Sequence, residues 1–123
     1  MEPMSFVDLL DSGEPIQVLA KVSFLSAAQG GRSSPLPTSY RPNHNFGQAE
    51  SREFYIGQVE LPLGISVNPG ESHSLVVTFL SGRGLSGLLK VGRTWRIQEG
   101  AKLVATAEVL EIKNTGKANA AGA

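Results

Sequence analysis

The chain has 123 residues, enough for about one domain with one core. Eleven basic and 11 acidic residues cancel, so net charge gives no general attraction to nucleic acid or membrane, and with 18% charged and 41% hydrophobic residues the composition is not that of a disordered chain. Cysteine is absent, which excludes disulfides, a thiolate nucleophile and a cysteine metal site, while 14 Gly and 7 Pro favour turns over long helices.

Residues 1–14 form an acidic extension carrying Glu2, Asp8, Asp11 and Glu14 and no basic residue. Within it Phe6-Val7-Asp8-Leu9-Leu10 fits one helical turn, with Ser5 as N-cap and Asp11-Ser12-Gly13 as the stop. Met1-Glu2-Pro3-Met4 offers no basic n-region and leads into no signal-length apolar run, so the expectation is a soluble cytoplasmic protein. From Pro15 the pattern changes. Val18, Ala20, Val22 and Phe24 alternate with Gln17, Leu19, Lys21 and Ser23, predicting a half-buried strand over 16–26. Residues 27–39, rich in Gly, Pro and Ser, read as a surface loop.

Tyr40–Phe46 predicts a short strand that Pro42 confines to an edge or a strand start. Phe54, Ile56 and Val59 predict a strand over 52–60 whose period breaks near Gly57. Pro69-Gly70 is a turn signal, and His73–Leu80, β-branched and aromatic, is the strongest strand in the chain. Leu89, Val91, Trp95 and Ile97 occupy odd positions of a strand over 89–98. Leu103, Ala105, Ala107 and Val109 line one face of a strand over 102–112. The tail, 113–123, lacks aromatic and large apolar residues and reads as disordered. Six short strands and no long helix predict an all-β sandwich or barrel over 15–112, and closure would remove exposed edges.

Few segments carry catalytic chemistry. Gly82-Arg83-Gly84-Leu85-Ser86-Gly87 matches the dinucleotide-binding pattern, with Glu108 about 20 residues on. That reading needs a helix over Leu88–Ile97, yet the segment contains Gly92 and alternating β-formers, so a nucleotide-binding enzyme fragment is only a distant alternative to a glycine-rich connection. No Walker-type loop and no nucleophile elbow occur. His44 and His73 are far apart in sequence, without ligands at metal spacing. Glu108 and Glu111 point to opposite faces of a strand and do not make an acid/base pair. Gly30-Gly31-Arg32-Ser33-Ser34-Pro35 and Tyr40-Arg41-Pro42 match no catalytic logic: they are either a plain turn with a solvated arginine or a loop presenting a guanidinium to a partner.

Gly30-Gly31-Arg32-x-x-Pro35, Tyr40-Arg41-Pro42, Gly57-x-Val59-Glu60-Leu61-Pro62, Pro69-Gly70-Glu71 and Trp95-x-Ile97-x-Glu99-Gly100 follow one another in the chain. This ordered series, spanning residues 15–112, resembles the C-terminal domain of elongation factor Tu and its relatives. The resemblance implies a closed six-stranded antiparallel β-barrel. In that family the barrel follows a GTPase domain and a second barrel, and contacts the T-stem of aminoacyl-tRNA, the GTPase domain and elongation factor Ts. The family's tRNA contacts map onto Arg32, Ser33, Asn43, Glu99 and Gly100. Ser33 stands where the family often has His and Asn43 where it often has Gln, and the 47–52 loop is longer than the family pattern.

No guanine-binding Asn-Lys-x-Asp is present, so GTP hydrolysis by this chain alone is not expected. The expectation is a stand-alone, non-catalytic binding module without metal or cofactor that engages a translation-related protein partner through exposed loops. The alternatives are tRNA-type stem binding through the Arg32 loop and the Glu99-Gly100 turn, or a homo-oligomer. Zero net charge favours the protein partner.

Overall fold

A computed structural model describes residues 13–85 and 87–113. The helical turn expected over Phe6–Leu10 and the disorder expected over 114–123 fall outside the described residues. Six strands form: β1 (Ile16–Phe24), β2 (Asn43–Asn45), β3 (Tyr55–Glu60), β4 (Ser72–Phe79), β5 (Thr94–Glu99) and β6 (Lys102–Lys113). All pairings are antiparallel, and the order β1-β4-β3-β2-β5-β6 closes on itself through β6 and β1. The expected all-β, closed six-stranded barrel is the fold.

Alternation builds the interior. Ile16, Val18, Ala20, Val22 and Phe24 of β1 all point inward and are buried. A barrel this narrow is filled by side chains, and bulk is balanced across the ladder. Trp95 lies opposite Ala107, and Ile97 opposite Ala105.

Three strand expectations are corrected. In β3 the inward residues are Gly57 and Val59, while Ile56 faces outward and Phe54, just before the strand, is exposed. Gly57 is inward because the His44 ring occupies the space a side chain would need: a Cβ there would lie 3.0 Å from His44 Nε2 and 3.2 Å from Phe79. β5 begins at Thr94 rather than Leu89, because residues 90–93 form a turn closed by Arg93 N–H donating to the Lys90 carbonyl; Val91 is therefore exposed. A register shift at Ile97/Gln98 places Val104 inside, so Leu103 is only half-buried. The ladder of β2 is also shorter than expected: Tyr40 joins it only through an isolated bridge to Val59, with Pro42 between.

Antiparallel order sorts the loops. The β1–β2, β3–β4 and β5–β6 connections lie at one end of the barrel, here called the arginine-loop end. The β2–β3 and β4–β5 connections lie at the other, with Gly13 and Lys113. Leu85 and Leu89 from the β4–β5 connection are buried there, above an aromatic cluster in which Phe46 stacks on Trp95 at 5.1 Å and Phe79 meets His44 edge-on at 5.1 Å.

A polar chain crosses this core. Trp95 Nε1–H donates to His44 Nδ1 at 3.0 Å, and His44 Nε2–H donates to the Gly57 carbonyl at 3.1 Å. Both imidazole nitrogens are thereby satisfied in the neutral ring. A proton on Nδ1 would face the indole N–H, and burial already lowers the His44 pKa to about 4 from 6.5. Below pH 6.5 the unfolded chain takes up a proton that the folded chain refuses until about pH 4. Stability is therefore complete above pH 6.5 and falls across that window, by about 3 kcal/mol for a shift of this size. Urea titrations followed through Trp95, the single tryptophan, check this: the midpoint drops steadily from pH 6.5 to 4, and His44→Phe flattens the drop while lowering stability at pH 7.

Candidate functional site

The Gly-Gly-Arg segment is shaped by its backbone. Ala27–Gln29 forms a 3-10 turn in which Ser26 and Gln29 cap each other, a feature the loop-like composition concealed. Gly30 ends it at φ +94°, in the left-handed region. Gly31 then packs flat on the end of β1, where a Cβ would stand 2.4 Å from the Leu25 carbonyl oxygen. This descent delivers Arg32 to the end of β5.

There the guanidinium is fully engaged. Nη1 donates to Glu99 Oε2, Nη2 to Ser34 Oγ and the Pro35 carbonyl at 3.3 Å each, and Nε to the Ser34 carbonyl at 3.3 Å. The guanidinium also sits 5.3 Å from the centre of the Tyr40 ring, and the Tyr40 hydroxyl donates to Glu99 Oε2 at 2.6 Å. Arg32 is only 19% exposed and Glu99 34%. Burial alone would push the Glu99 carboxyl up, but hydrogen bonds from Tyr40 and Arg32 outweigh it and hold the carboxyl below its ordinary value. The bond to Glu99 raises the Arg32 pKa, and burial raises that of Tyr40. All three groups thus keep their charge states across neutral pH. The arrangement is a clamp: it ties the β1–β2 loop to the β5–β6 hairpin.

Four of the five residues singled out in the sequence gather at this end. Arg32 and Glu99 form the clamp, Ser33 is exposed beside it, and Gly100 is exposed at the hairpin turn with φ +61°. With Ala101 at negative φ the turn matches type II′, so Gly100 serves the turn itself. Asn43 lies on the side wall, half-buried, opposite Gln98 in the ladder. Gln98 links it to the hairpin, since its amide donates to the Gly100 carbonyl at 3.2 Å. Gln98 also accepts from the buried Asn45 at 2.8 Å and from Arg96 at 3.2 Å.

Sequence reasoning passed over three contributors. Tyr40 was noticed only as part of a motif, yet its hydroxyl completes the clamp. Asn45 and Gln98 are polar residues in strand patterns, and only their pairing reveals a buried network. Leu63 and Ile65 sit on the β3–β4 turn at the same end, 103% and 48% exposed, where the Ile65 N–H donates to the Pro62 carbonyl. That turn is joined to the arginine loop by the Leu36 N–H donating to the Val67 carbonyl at 3.0 Å.

The glycine-rich Gly82–Gly87 stretch leads into turn and strand, not the helix a dinucleotide site requires. Among the described residues no group of three His, Asp or Glu side chains is placed to hold a metal ion, and no helix is long and apolar enough to cross a membrane. No protein-family model matches the chain.

The clamp has measurable consequences. Glu99→Gln removes the carboxylate and costs about 1–2 kcal/mol at pH 7, the lower end being set by its partial exposure. Because the folded Glu99 pKa lies below its ordinary value of 4.5, this difference is present above that pH and shrinks as pH falls below it. Hydrogen exchange at Gly31–Ser34 rises in Glu99→Gln and, more steeply, in Gly31→Ala, while exchange in β4 is unchanged at matched stability. Unaltered exchange in the arginine loop of both variants would refute the clamp.

Proposed function

We propose that the chain is a non-catalytic binding module whose arginine-loop end engages a protein partner of the translation machinery, the class implied by its likeness to the C-terminal domain of elongation factor Tu. The observation that carries this reading is the Arg32–Glu99–Tyr40 clamp. A loop held by four guanidinium hydrogen bonds has lost its freedom before any partner arrives, so binding through it costs less ordering entropy. The surface beside it is mixed: polar at Ser33 and Gly100, aliphatic at Leu63 and Ile65.

Protein suits this surface better than RNA. The Arg32 charge is already paired with Glu99, so this guanidinium is not free to fork onto a phosphate. A fully exposed leucine on a tight turn is a contact for an apolar patch, not for a sugar–phosphate backbone. The chain's zero net charge points the same way.

Retention of the full chain on an immobilised elongation factor Tu GTPase domain, compared with immobilised tRNA, tests the reading. Retention on the protein, lost by at least tenfold in affinity with Ser33→Trp or Leu63→Asp, is the expected result. Both residues are exposed, so neither substitution disturbs the core. Salt-sensitive retention on tRNA alone would replace this reading with stem binding, and retention on neither would end both.

A further inference from the structure

The loop before β3 covers part of the barrel wall. His44 faces the core against Phe79 and Trp95, so Asn45 beside it faces outward by alternation, yet Asn45 is fully buried. The connection from β2 to β3 is what covers it. Asn45 Nδ2 donates to the Gln48 carbonyl at 2.9 Å, and Asn45 Oδ1 accepts from the Gly47 N–H at 2.8 Å. The same Asn45 amide donates to Gln98 Oε1, and Gln98 Nε2 donates to the Gly100 carbonyl. A single buried amide pair thus fixes this loop on one side and the β5–β6 hairpin on the other.

Between those two walls lies a cavity of about 420 Å³. Glu50, Arg52 and Phe54 line it from the loop, and Gln98, Gly100 and Ala101 from the hairpin. A volume of this order suits a small ligand or one or two residues of a chain, not a strand passing through. Two kinds of chemistry meet in it. The apolar kind is the Phe54 ring, 37% exposed, with the methyl of Ala101. The other kind is a set of donors for an anion. Arg52 is exposed and has no ion-pair partner among the described residues. The two central N–H groups of a β-turn, here those of Gly100 and Ala101, are not consumed by the turn itself. A Cβ on Gly100 would meet nothing within 4 Å, so the space above the turn is open.

Charges of both signs border the cavity. Arg96, bonded to Gln98 at 3.2 Å, and Lys102, next to Ala101, add to Arg52. Glu99 is already tied to Arg32 and Tyr40, and Glu53 lines a separate cavity beside Tyr55, which leaves Glu50 as the opposing carboxylate. A phosphodiester strand, charged at every residue, meets repulsion from Glu50. A single carboxylate next to an apolar side chain matches Arg52 and Phe54 together. The last residue of a polypeptide carries that pair on one Cα.

We propose that this cavity is a docking site for the C-terminal residue of a protein partner, whose large apolar side chain packs on Phe54 and whose α-carboxylate is held by Arg52 and the turn N–H groups. The Asn45–Gln98 pair sets both walls before the ligand arrives, so docking orders little of the loop. The site shares only the β5–β6 hairpin with the surface at Ser33 and Leu63. It stands whether or not those two residues meet a partner.

Fluorescence anisotropy on the full chain tests the site. The probes are dye-labelled peptides Gly-Gly-Lys-Ala-Leu and Gly-Gly-Lys-Ala-Phe, each as the free acid and as the C-terminal amide. The acids bind, and the amides bind at least tenfold more weakly. Arg52→Gln erases the difference between acid and amide, and Phe54→Ala weakens the acids at least fivefold. Both residues are exposed, so neither substitution disturbs the core. Ser33→Trp and Leu63→Asp leave the affinities unchanged, which keeps this test apart from that of the arginine-loop end. Equal affinity of acid and amide, no effect of Arg52→Gln, or no binding of either acid overturns the proposal. So does binding of a short oligouridylate in place of the acids, which would make RNA the occupant.

Discussion

Closure of the sheet is the constraint on which the rest depends. Once β6 pairs with β1, every strand has two neighbours and no free edge remains to slip or to template another chain. The interior then has a set volume that side chains must fill. This is why Ala105 and Ala107 stand across from Ile97 and Trp95, and why β3 carries a glycine where the His44 ring passes. An added methyl at any of these points meets packed atoms, so the cost of error is shared by the whole ring. The polar chain Trp95–His44–Gly57 and the buried Asn45–Gln98 pair are tolerated because their polar atoms have partners.

Closure also explains the division between ends. Three connections emerge at each end of an antiparallel six-stranded ring, counting the chain's own entrance and exit as one. At the end opposite the arginine loop, buried Leu85 and Leu89 and the Phe46–Trp95 stack stopper the barrel with hydrocarbon. At the arginine-loop end the work is done by a guanidinium, a carboxylate and a phenol. A polar clamp there holds two loops in register while leaving their outer surfaces wet, whereas an apolar stopper would have buried them. The end with loops fixed from beneath is therefore the one on which the proposed binding reading rests.

The fold was legible because period-two alternation in β1 and β4 is a consequence of burial itself, and no neighbour in space is needed to read it. The exceptions share one cause. Phe54 and Ile56 are large and apolar, so a rule that places such residues inside sends them there; only the His44 ring, 13 residues away in sequence, shows why Gly57 takes the interior instead. The Leu89–Arg93 stretch alternates convincingly but is cut by a turn, and the Ile97/Gln98 shift exchanges Leu103 for Val104. The candidate site was legible as residue types, not as a geometry. Arg32 and Glu99 were both picked out, yet their contact spans 67 positions, and pairing at that distance comes only from the topology. That contact changes what Arg32 does: it orders its loop and does not project from it.

Charge is distributed to match. A chain with no net charge can still attract and repel, because fields at the surface are felt over about 10 Å at moderate salt, less than the width of the barrel. Glu99 cancels Arg32 at one end, and Glu71 is held near pKa 2 by its bonds to His73 and to Asn68. Around β6 the outward carboxylates Glu108 and Glu111 border Leu110, but Lys113 lies 3.7 Å from Glu111 and Lys21 stands opposite Glu108 in the ladder. Hydrophobic burial carries no direction of its own, so it is charges paired in this way, side by side on the surface, that give each patch of the barrel its own electrostatic character.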